Sequence, residues 1–87
     1  MARIFIPPAI RSRTGGLAEV DVPGATVRAA IAALDRQFPG IQDCLCQGDV
    51  LRSGWCVAVG GSVSSLGLLT KVEPSSEIHF LPLVGGG

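Results

Sequence analysis

The stretch EIHFLPLVGGG, residues 77–87, decides how the rest of the chain is interpreted. Its first residues alternate in the way of a half-buried β-strand, with Ile78 and Phe80 facing inward. Pro82 then restricts Leu81 to extended backbone geometry. Glycine has no side chain to bury and carries the largest ordering cost, so three in succession do not build a core. Two interpretations stay open: a frayed chain end, or a thin tail whose terminal carboxylate enters a pocket on another protein.

Length and composition favour a carrier or binding module over an enzyme. The 87 residues predict one small domain. Such a domain buries only about 60 to 65% of its unfolded surface, which leaves little room for a deep catalytic cleft beside the core. Seven basic and seven acidic residues cancel without a basic cluster, which argues against nucleic-acid binding. No apolar run approaches the ~20 residues of a membrane span, and we expect a cytoplasmic protein.

The cysteines do not predict a disulfide framework or a metal site. Their number, three, is odd. Cys44 and Cys46 are separated by one residue, whereas zinc ligands in a knuckle are separated by two or more. Cys56 lies in an apolar run and is expected to be a small buried hydrophobe. We predict reduced thiols, whose roles the sequence does not assign.

The N-terminal third predicts a hairpin. Residues 3–6 read as a strand stopped by two prolines, with Ile4 and Ile6 facing the core. Residues 9–13 are interpreted as a connection, and the following Thr-Gly-Gly as a turn. Residues 17–22 alternate as a second strand, one face of which carries Ala18, Val20 and Val22.

One long helix follows. Thr26 is a good N-cap, because its hydroxyl can accept a hydrogen bond from a free backbone N–H of the first turn. Pro39 and Gly40 end the helix. The apolar residues between these signals recur at helical spacing and predict a face packed on the core: Val27, Ala30, Ile31, Leu34 and Phe38.

The C-terminal half predicts further strands. Residues 41–51 are ambiguous and are expected to form a short helical turn and a loop, with a turn at Gly48. Residues 55–59 form a clear strand, and the glycine pair at 60–61 suits a two-residue hairpin turn. Residues 62–70 predict a short strand and a single turn. The last strand pairs most simply near the first, which predicts a two-layer α+β domain with the tail just off the sheet edge.

The chain resembles the ThiS/MoaD family of ubiquitin-like sulfur carriers. The residues that carry this resemblance are RIFIPP at 3–8, RSRTGG at 11–16, FPG at 38–40 and LPLVGGG at 81–87. The tail is the most specific motif, since the terminal glycines follow the proline by four and five residues. Gly85 departs from the pattern, because many members carry alanine there.

The resemblance implies a β-grasp fold: a mixed four- to five-stranded sheet with one main helix across one face. It divides the chain into a domain at 1–84 and a flexible tail at 85–87. It also implies a carrier that binds no cofactor or metal itself. An adenylating partner enzyme uses ATP and Mg²⁺ to activate the Gly87 carboxylate. A sulfur donor, usually a persulfide sulfurtransferase, then leaves a thiocarboxylate that an acceptor synthase subunit uses.

The resemblance also implies roles for the tail and its surroundings. Gly87 is the reactant, and Gly85 and Gly86 supply reach and slimness. The residues themselves, rather than the resemblance, give Leu81 and Leu83 a core or a docking role. Because they are expected on the face opposite Phe80 and beside the tail, contact with the partner is favoured. The other expectations also come from the residues themselves. The backbone before Pro82 is expected to be extended, His79 to lie at the surface, and Trp55 to belong to the core or to a docking patch. Arg11 and Arg13 are expected to form a solvated loop or to flank that patch.

Molybdopterin synthesis is the first pathway expected, through the small subunit of its synthase. Thiamine, cysteine and secondary-metabolite synthesis are alternatives. Two other functions stay open: a ubiquitin-like modifier joined through Gly87 to target lysines, and a β-grasp interaction module. The sequence does not assign an oligomeric state.

Overall fold

A five-stranded mixed sheet carries the fold in the computed structural model, which describes residues 1–82. The strands are β1 Ala2–Phe5, β2 Glu19–Val22, β3 Cys46–Gln47, β4 Val50–Leu51, β5 Trp55–Val59, β6 Ser62–Ser64 and β7 Glu77–Pro82. The strand order in the main sheet is β2-β1-β7-β5-β6. The last strand runs parallel to the first, and the other neighbours pair antiparallel. A separate two-stranded sheet joins β3 and β4.

The predicted N-terminal hairpin is confirmed, with one correction. β1 and β2 pair antiparallel, and Ile4 lies opposite Val20 on the buried face. The second strand begins at Glu19 rather than Leu17, and Ala18 is exposed instead of buried. The Ala18 carbonyl accepts a hydrogen bond from the backbone N–H of Ile6, so the residue continues the pairing without packing inward.

The connection after β1 is a 3₁₀ helix, Pro8–Thr14, where the sequence predicted an irregular segment. Local hydrogen bonding by one side chain stabilises its C-terminal end. The Thr14 hydroxyl is buried within 3.0 Å of the Arg11 carbonyl and 2.8 Å of the Leu17 carbonyl. Gly15 and Gly16 follow with φ of 64° and 90°, which confirms the predicted turn.

The main helix, α1, spans Val27–Gln37 as predicted. The backbone N–H of Ala29 donates to the Thr26 hydroxyl at 3.1 Å, so the predicted N-cap is confirmed. A short helix, α2, spans Ile41–Leu45. The Asp35 carboxylate joins the two helices, because one oxygen accepts the N–H groups of Gly40 and Gln42, each at 3.0 Å.

Two turns behave as the glycines predict, and one strand pair was missed. Gly60 and Gly61 have φ of 61° and 88°, and they connect β5 to β6. A second 3₁₀ helix, Gly67–Leu69, is the predicted single turn. The β3–β4 pair around Gly48 was expected to be a loop.

The core lies between one face of the main sheet and the two α-helices. It includes buried residues of both strands of the N-terminal hairpin and of α1, together with Ile78 and Phe80 of β7. β7 occupies the centre of the sheet, between β1 and β5. The prediction that it pairs with the first strand is confirmed, but the chain leaves from the end of a central strand rather than beside a sheet edge. Within residues 1–82, no helix is long and apolar enough to cross a membrane.

Candidate functional site

The candidate site begins at the C-terminal end of β7. Leu81 lies opposite Cys56 of β5, and Pro82 lies opposite Trp55. The pairing of β7 with β1 has already ended at His79. A proline therefore removes no hydrogen bond on the β1 side, which explains how a central strand accepts one at its end. The extended geometry predicted for Leu81 is confirmed.

The outer face is the side of the main sheet turned away from α1. Residues that lie opposite one another in neighbouring strands share a face, so the register defines it. Leu81 belongs to it and is 41% exposed, as predicted from its alternation with Phe80. Val63 of β6 is also exposed. The apolar residues of the outer face are Phe5, Cys56, Ala58, Val63 and Leu81.

An aromatic pair lies at the centre of this face. The rings of Phe5 and His79 stack in parallel, with centroids 4.2 Å apart and an interplanar angle of 9°. His79 faces outward as predicted and is half-exposed. The stacking itself was missed, because it depends on β1 and β7 being neighbours with Phe5 opposite His79. The alternation of Phe5 with Ile4 and Ile6 was the available signal that Phe5 points outward.

Charged residues border the outer face on the β2 side. The Arg3 guanidinium lies 3.1 Å from an Asp21 carboxylate oxygen and 3.4 Å from one of Glu19. The hydrogen bond to Asp21 is the largest cause that raises the pKa of Arg3. His79 Nε2 lies 3.6 Å from a Glu77 carboxylate oxygen. The outer face therefore combines an apolar strip near the end of β7 with an acidic margin.

The two arginines of the first connection differ. Arg11 Nε donates to the Ile6 carbonyl at 2.9 Å, and the side chain is partly buried. The expectation of a solvated loop is therefore wrong for Arg11, which bonds to the residue immediately after β1. Arg13 is exposed, as that expectation requires. A partner contact for either arginine stays a prediction.

Trp55 is half-buried and packs against the core, so its core role is supported. Leu83, Gly85, Gly86 and Gly87 lie outside the described residues, as does the predicted domain boundary at 84. Their roles stay predictions. The structure therefore brings only Leu81 and Pro82 of the predicted site residues into one described place.

The three cysteines are free thiols in different surroundings. Cys46 is buried, and burial is the main cause that raises its thiol pKa. Cys44 Sγ lies 3.7 Å from the Gly40 carbonyl in α2. Cys56 is half-buried on the outer face, whereas the sequence predicted a small buried hydrophobe. In the part of the chain that the structure describes, no three His, Cys, Asp or Glu side chains form a metal-binding group.

The main clefts lie away from Leu81. A polar cleft of about 410 Å³ is lined by Met1, Arg3, Asp21, Ser75 and Glu77, at the end of the sheet where β7 begins. A second, of about 270 Å³, is also lined by Met1 and reaches Gly24 and Val72. A third, of about 260 Å³, lies between β4 and the second 3₁₀ helix. None of these clefts is lined by Leu81 or Pro82, the last described residues.

In comparison with known proteins, one family model covers both the folded domain and the C-terminal glycines. The model of the ThiS family matches residues 5–87, which includes the described end of β7 and the glycines after it. No curated protein matches the chain.

Several solved structures are similar over the whole chain. CysO in the BexX/CysO complex of Amycolatopsis orientalis is 29% identical with a TM-score of 0.90, and all of both chains is covered. CysO of Mycobacterium tuberculosis is 27% identical with a TM-score of 0.87, covering 97% of this chain and 100% of that one. SAMP1 of Haloferax volcanii is 25% identical with a TM-score of 0.72, covering 99% and 98%. The β-grasp fold implied by the sequence resemblance is confirmed.

Proposed function

This chain belongs to the ThiS family of ubiquitin-like sulfur carriers, and we propose that the carboxylate of Gly87 is the group that carries the sulfur. The observation that supports this most is that the family model matches the chain through residue 87. In addition, the tail follows directly after β7, the central strand of the main sheet. The chain is a carrier in this proposal. The catalytic groups belong to the enzymes that activate it and receive its sulfur.

The proposed chemistry has four steps. The Gly87 carboxylate attacks the α-phosphorus of ATP, forms an acyl-adenylate and releases pyrophosphate, with Mg²⁺ held by the activating enzyme. A persulfide sulfur then attacks the carbonyl carbon and AMP leaves. A thiol then attacks the donor's inner sulfur in the resulting acyl disulfide and breaks the S–S bond. The outer sulfur remains on Gly87 as a thiocarboxylate, and the donor's inner sulfur forms a disulfide with the attacking thiol, whose proton goes to solvent. An acceptor enzyme finally takes the sulfur.

Glycine is required in this proposal for a physical reason. A β-carbon next to the reacting carbonyl would crowd the approach of the persulfide, whereas glycine leaves both sides of the carbonyl open. The five residues after Pro82 can span at most about 17 Å. That length lets the carboxylate enter a pocket of the partner while the domain stays on the partner's surface.

The outer face is the proposed docking surface for these partners. Leu81 is exposed and immediately precedes the proline from which the tail starts. Exposed apolar residues next to a reacting group are typical of interaction sites. Leu83 is proposed to extend the same contact, with Gly85 and Gly86 inside the partner's channel. In the structure from Amycolatopsis orientalis, CysO is in a complex with BexX, which supports a protein partner for this fold.

The pathway is a finer question. Molybdopterin synthesis was the first expectation, but two of the similar structures are named CysO. Cysteine synthesis therefore comes before molybdopterin as the pathway to test. Thiamine and secondary-metabolite synthesis stay as further acceptors.

Intact-mass spectrometry tests the proposal directly. The chain is incubated with an activating enzyme of the ThiS-activating class, ATP, Mg²⁺ and a persulfide donor. We expect the mass change of one oxygen replaced by sulfur, located at Gly87 by fragmentation. A variant without Gly86 and Gly87 is the control, and it should keep its fold and gain no sulfur. Sulfur transfer by that truncated variant would contradict the proposal.

A second candidate is a protein modifier joined through Gly87 to lysines. The similarity to SAMP1, whose full name is small archaeal modifier protein 1, favours it. The same incubation with cell extract distinguishes the two functions. Thiocarboxylate without isopeptide conjugates supports the carrier, and conjugates on target lysines support the modifier.

A further inference from the structure

The two edges of the main sheet carry different side chains. β2 and β6 are its edge strands. On β2, Glu19 and Asp21 present carboxylates that pair with Arg3 of the neighbouring strand. Charged side chains on an edge strand oppose its pairing with another chain. On β6 the situation is the reverse, because residues 60–70 contain no charged residue. The β6 edge therefore lacks the electrostatic protection that the β2 edge has.

The open edge of β6 presents the backbone groups of Val63. Val59 and Ser62 lie opposite each other across the glycine turn that joins β5 to β6, and such a closing pair is hydrogen-bonded in a two-residue turn. Hydrogen-bonded and non-hydrogen-bonded residues alternate along an antiparallel pair. The N–H of Gly60 fits this alternation, because it donates to the Glu77 carbonyl of β7, on the other side of β5, at 3.0 Å. The N–H and C=O of Val63 therefore point away from β5, toward the open edge.

Exposed apolar side chains accumulate on the same side of the domain. In the part of the chain that the structure describes, seven large hydrophobic residues are exposed, and four of them lie on β6 or near it. Val63 belongs to β6 itself. Leu66 and Leu69 belong to the segment that follows, and with Val50 of β4 they line the cleft of about 260 Å³. We call Val50, Val63, Leu66 and Leu69 the β6 patch. Exposed apolar residues that accumulate on one side of a small domain are typical of a protein–protein interface.

We infer that the β6 patch is the interface between two copies of this chain. The β6 strands of the two copies lie antiparallel about a two-fold axis, with Val63 opposite Val63. Each Val63 donates its N–H to the carbonyl of the other and accepts a hydrogen bond in return, so the main sheets of the two copies join into one. Opposite residues of an antiparallel pair share a face, so the two Val63 side chains also contact each other.

The β6 edge suits a second copy for two reasons. It is its own complement, because a two-fold axis matches the donor of one Val63 with the acceptor of the other. It also brings no like charges together, whereas pairing through β2 would place the carboxylates of Glu19 and Asp21 near those of the other copy. Because β5 lies between β6 and β7, the interface does not require Leu81. The inference is independent of the function proposed above.

Sedimentation equilibrium of the full chain, with a reductant that keeps its thiols free, measures the association. β6 has three residues, so we expect a small interface and a monomer–dimer equilibrium with a dissociation constant between about 10 μM and 1 mM. Val63→Lys places a charge on the edge and should raise this constant about tenfold or more. Val63→Pro should act in the same direction, because it removes the outward N–H without removing a bond to β5.

Leu17→Lys is the matched control. Leu17 is exposed and precedes β2, at the opposite edge of the sheet, so its substitution should leave the dissociation constant unchanged. Circular dichroism checks that each variant is folded. Amide hydrogen exchange locates the interface: the Val63 amide of the unsubstituted chain should exchange fast in dilute solution and become protected as the concentration rises.

Four outcomes would overturn the inference. The first is a chain that stays monomeric up to about 1 mM. The second is a dimer that Leu17→Lys weakens as much as Val63→Lys does. The third is concentration-dependent protection outside residues 62–69, since protection around Leu81 would place the second copy on the outer face. The fourth is growth beyond dimers, because a two-fold interface closes on itself.

Discussion

The two faces of β7 differ sharply, although their residues alternate along one strand. Ile78 and Phe80 are 0% and 4% exposed and pack beneath the helices, whereas Leu81 is 41% exposed. His79 is half-exposed and stacks on Phe5. One strand therefore supplies core residues and candidate docking residues in turn. Substitutions on the two faces should separate folding from partner binding.

The difference has a simple physical origin. The inner face is covered by α1 and α2, so each side chain there is removed from water and contributes to folding. The outer face meets solvent, and its apolar residues near the end of β7 are bordered by charged ones around Arg3. The apolar residues of this face can still be buried against a partner when it binds.

The largest effect on folding is expected for Phe80→Ala. Removing a buried phenylalanine ring leaves a cavity, and the free energy of unfolding should fall by about 3 to 5 kcal/mol. Urea denaturation followed by fluorescence or circular dichroism measures it. Leu81→Ala is the neighbouring control and should change the same quantity by about 0.5 kcal/mol or less. Equal losses in the two variants would show that the faces are not separable.

Gly24→Ala tests the seating of the helix that covers the inner face. Gly24 has φ of 152°, and an added β-carbon would lie 2.7 Å from the Ala30 backbone nitrogen. We expect a loss of about 1 to 3 kcal/mol in the free energy of unfolding. The control is Gly61→Ala, where φ is 88° and no atom lies within 4 Å of the added carbon. A loss as large in the control would assign the effect to backbone conformation alone.

The sequence predicted the inner face better than the outer one, for physical reasons. Burial imposes a period, so Ile4, Ile31 and Phe80 were each placed correctly from local spacing. The stacking of Phe5 on His79 depends on which strands are neighbours, and local spacing carries no such information. The exposure of Leu81 was predicted correctly from its alternation with Phe80, and its docking role stays a prediction.

The sequence also failed to predict some of the short elements. Two-residue strands such as β3 and β4 are too short to show a period, so Gly48 predicted the turn but not its flanking pair. The 3₁₀ helix Pro8–Thr14 ends at the buried Thr14 hydroxyl, which lies within hydrogen-bond distance of the Arg11 and Leu17 carbonyls. Ala18 was predicted to be buried because of the alternation. Its carbonyl does bond to the neighbouring chain, but its side chain, just before the start of β2, stays exposed.

Two of the cysteines differ in exposure: Cys46 is buried in the core, and Cys56 is half-buried on the outer face. Burial raises the pKa of Cys46, so the folded state favours the protonated thiol. This contribution to stability is complete below the unfolded thiol pKa and is lost as the pH rises toward the folded value. We expect a modest alkaline loss of stability that Cys46→Ala reduces. Iodoacetamide should label Cys56 faster than Cys46, and mass spectrometry of peptides measures both. Faster labelling of Cys46 would contradict its burial.

Leu81→Asp should have the smallest effect on folding and a clear effect on function. An exposed site tolerates the charge, so the free energy of unfolding should change by about 0.5 kcal/mol or less. A charge in a docking contact loses apolar burial and is desolvated without a partner. The KM for the carrier in the activating reaction should therefore rise while kcat changes little. Leu69→Asp is the matched control, because Leu69 is 69% exposed but belongs to the second 3₁₀ helix rather than the outer face. Equal KM values for both variants would remove Leu81 from the docking surface, and unfolding of Leu81→Asp would place its side chain in the core.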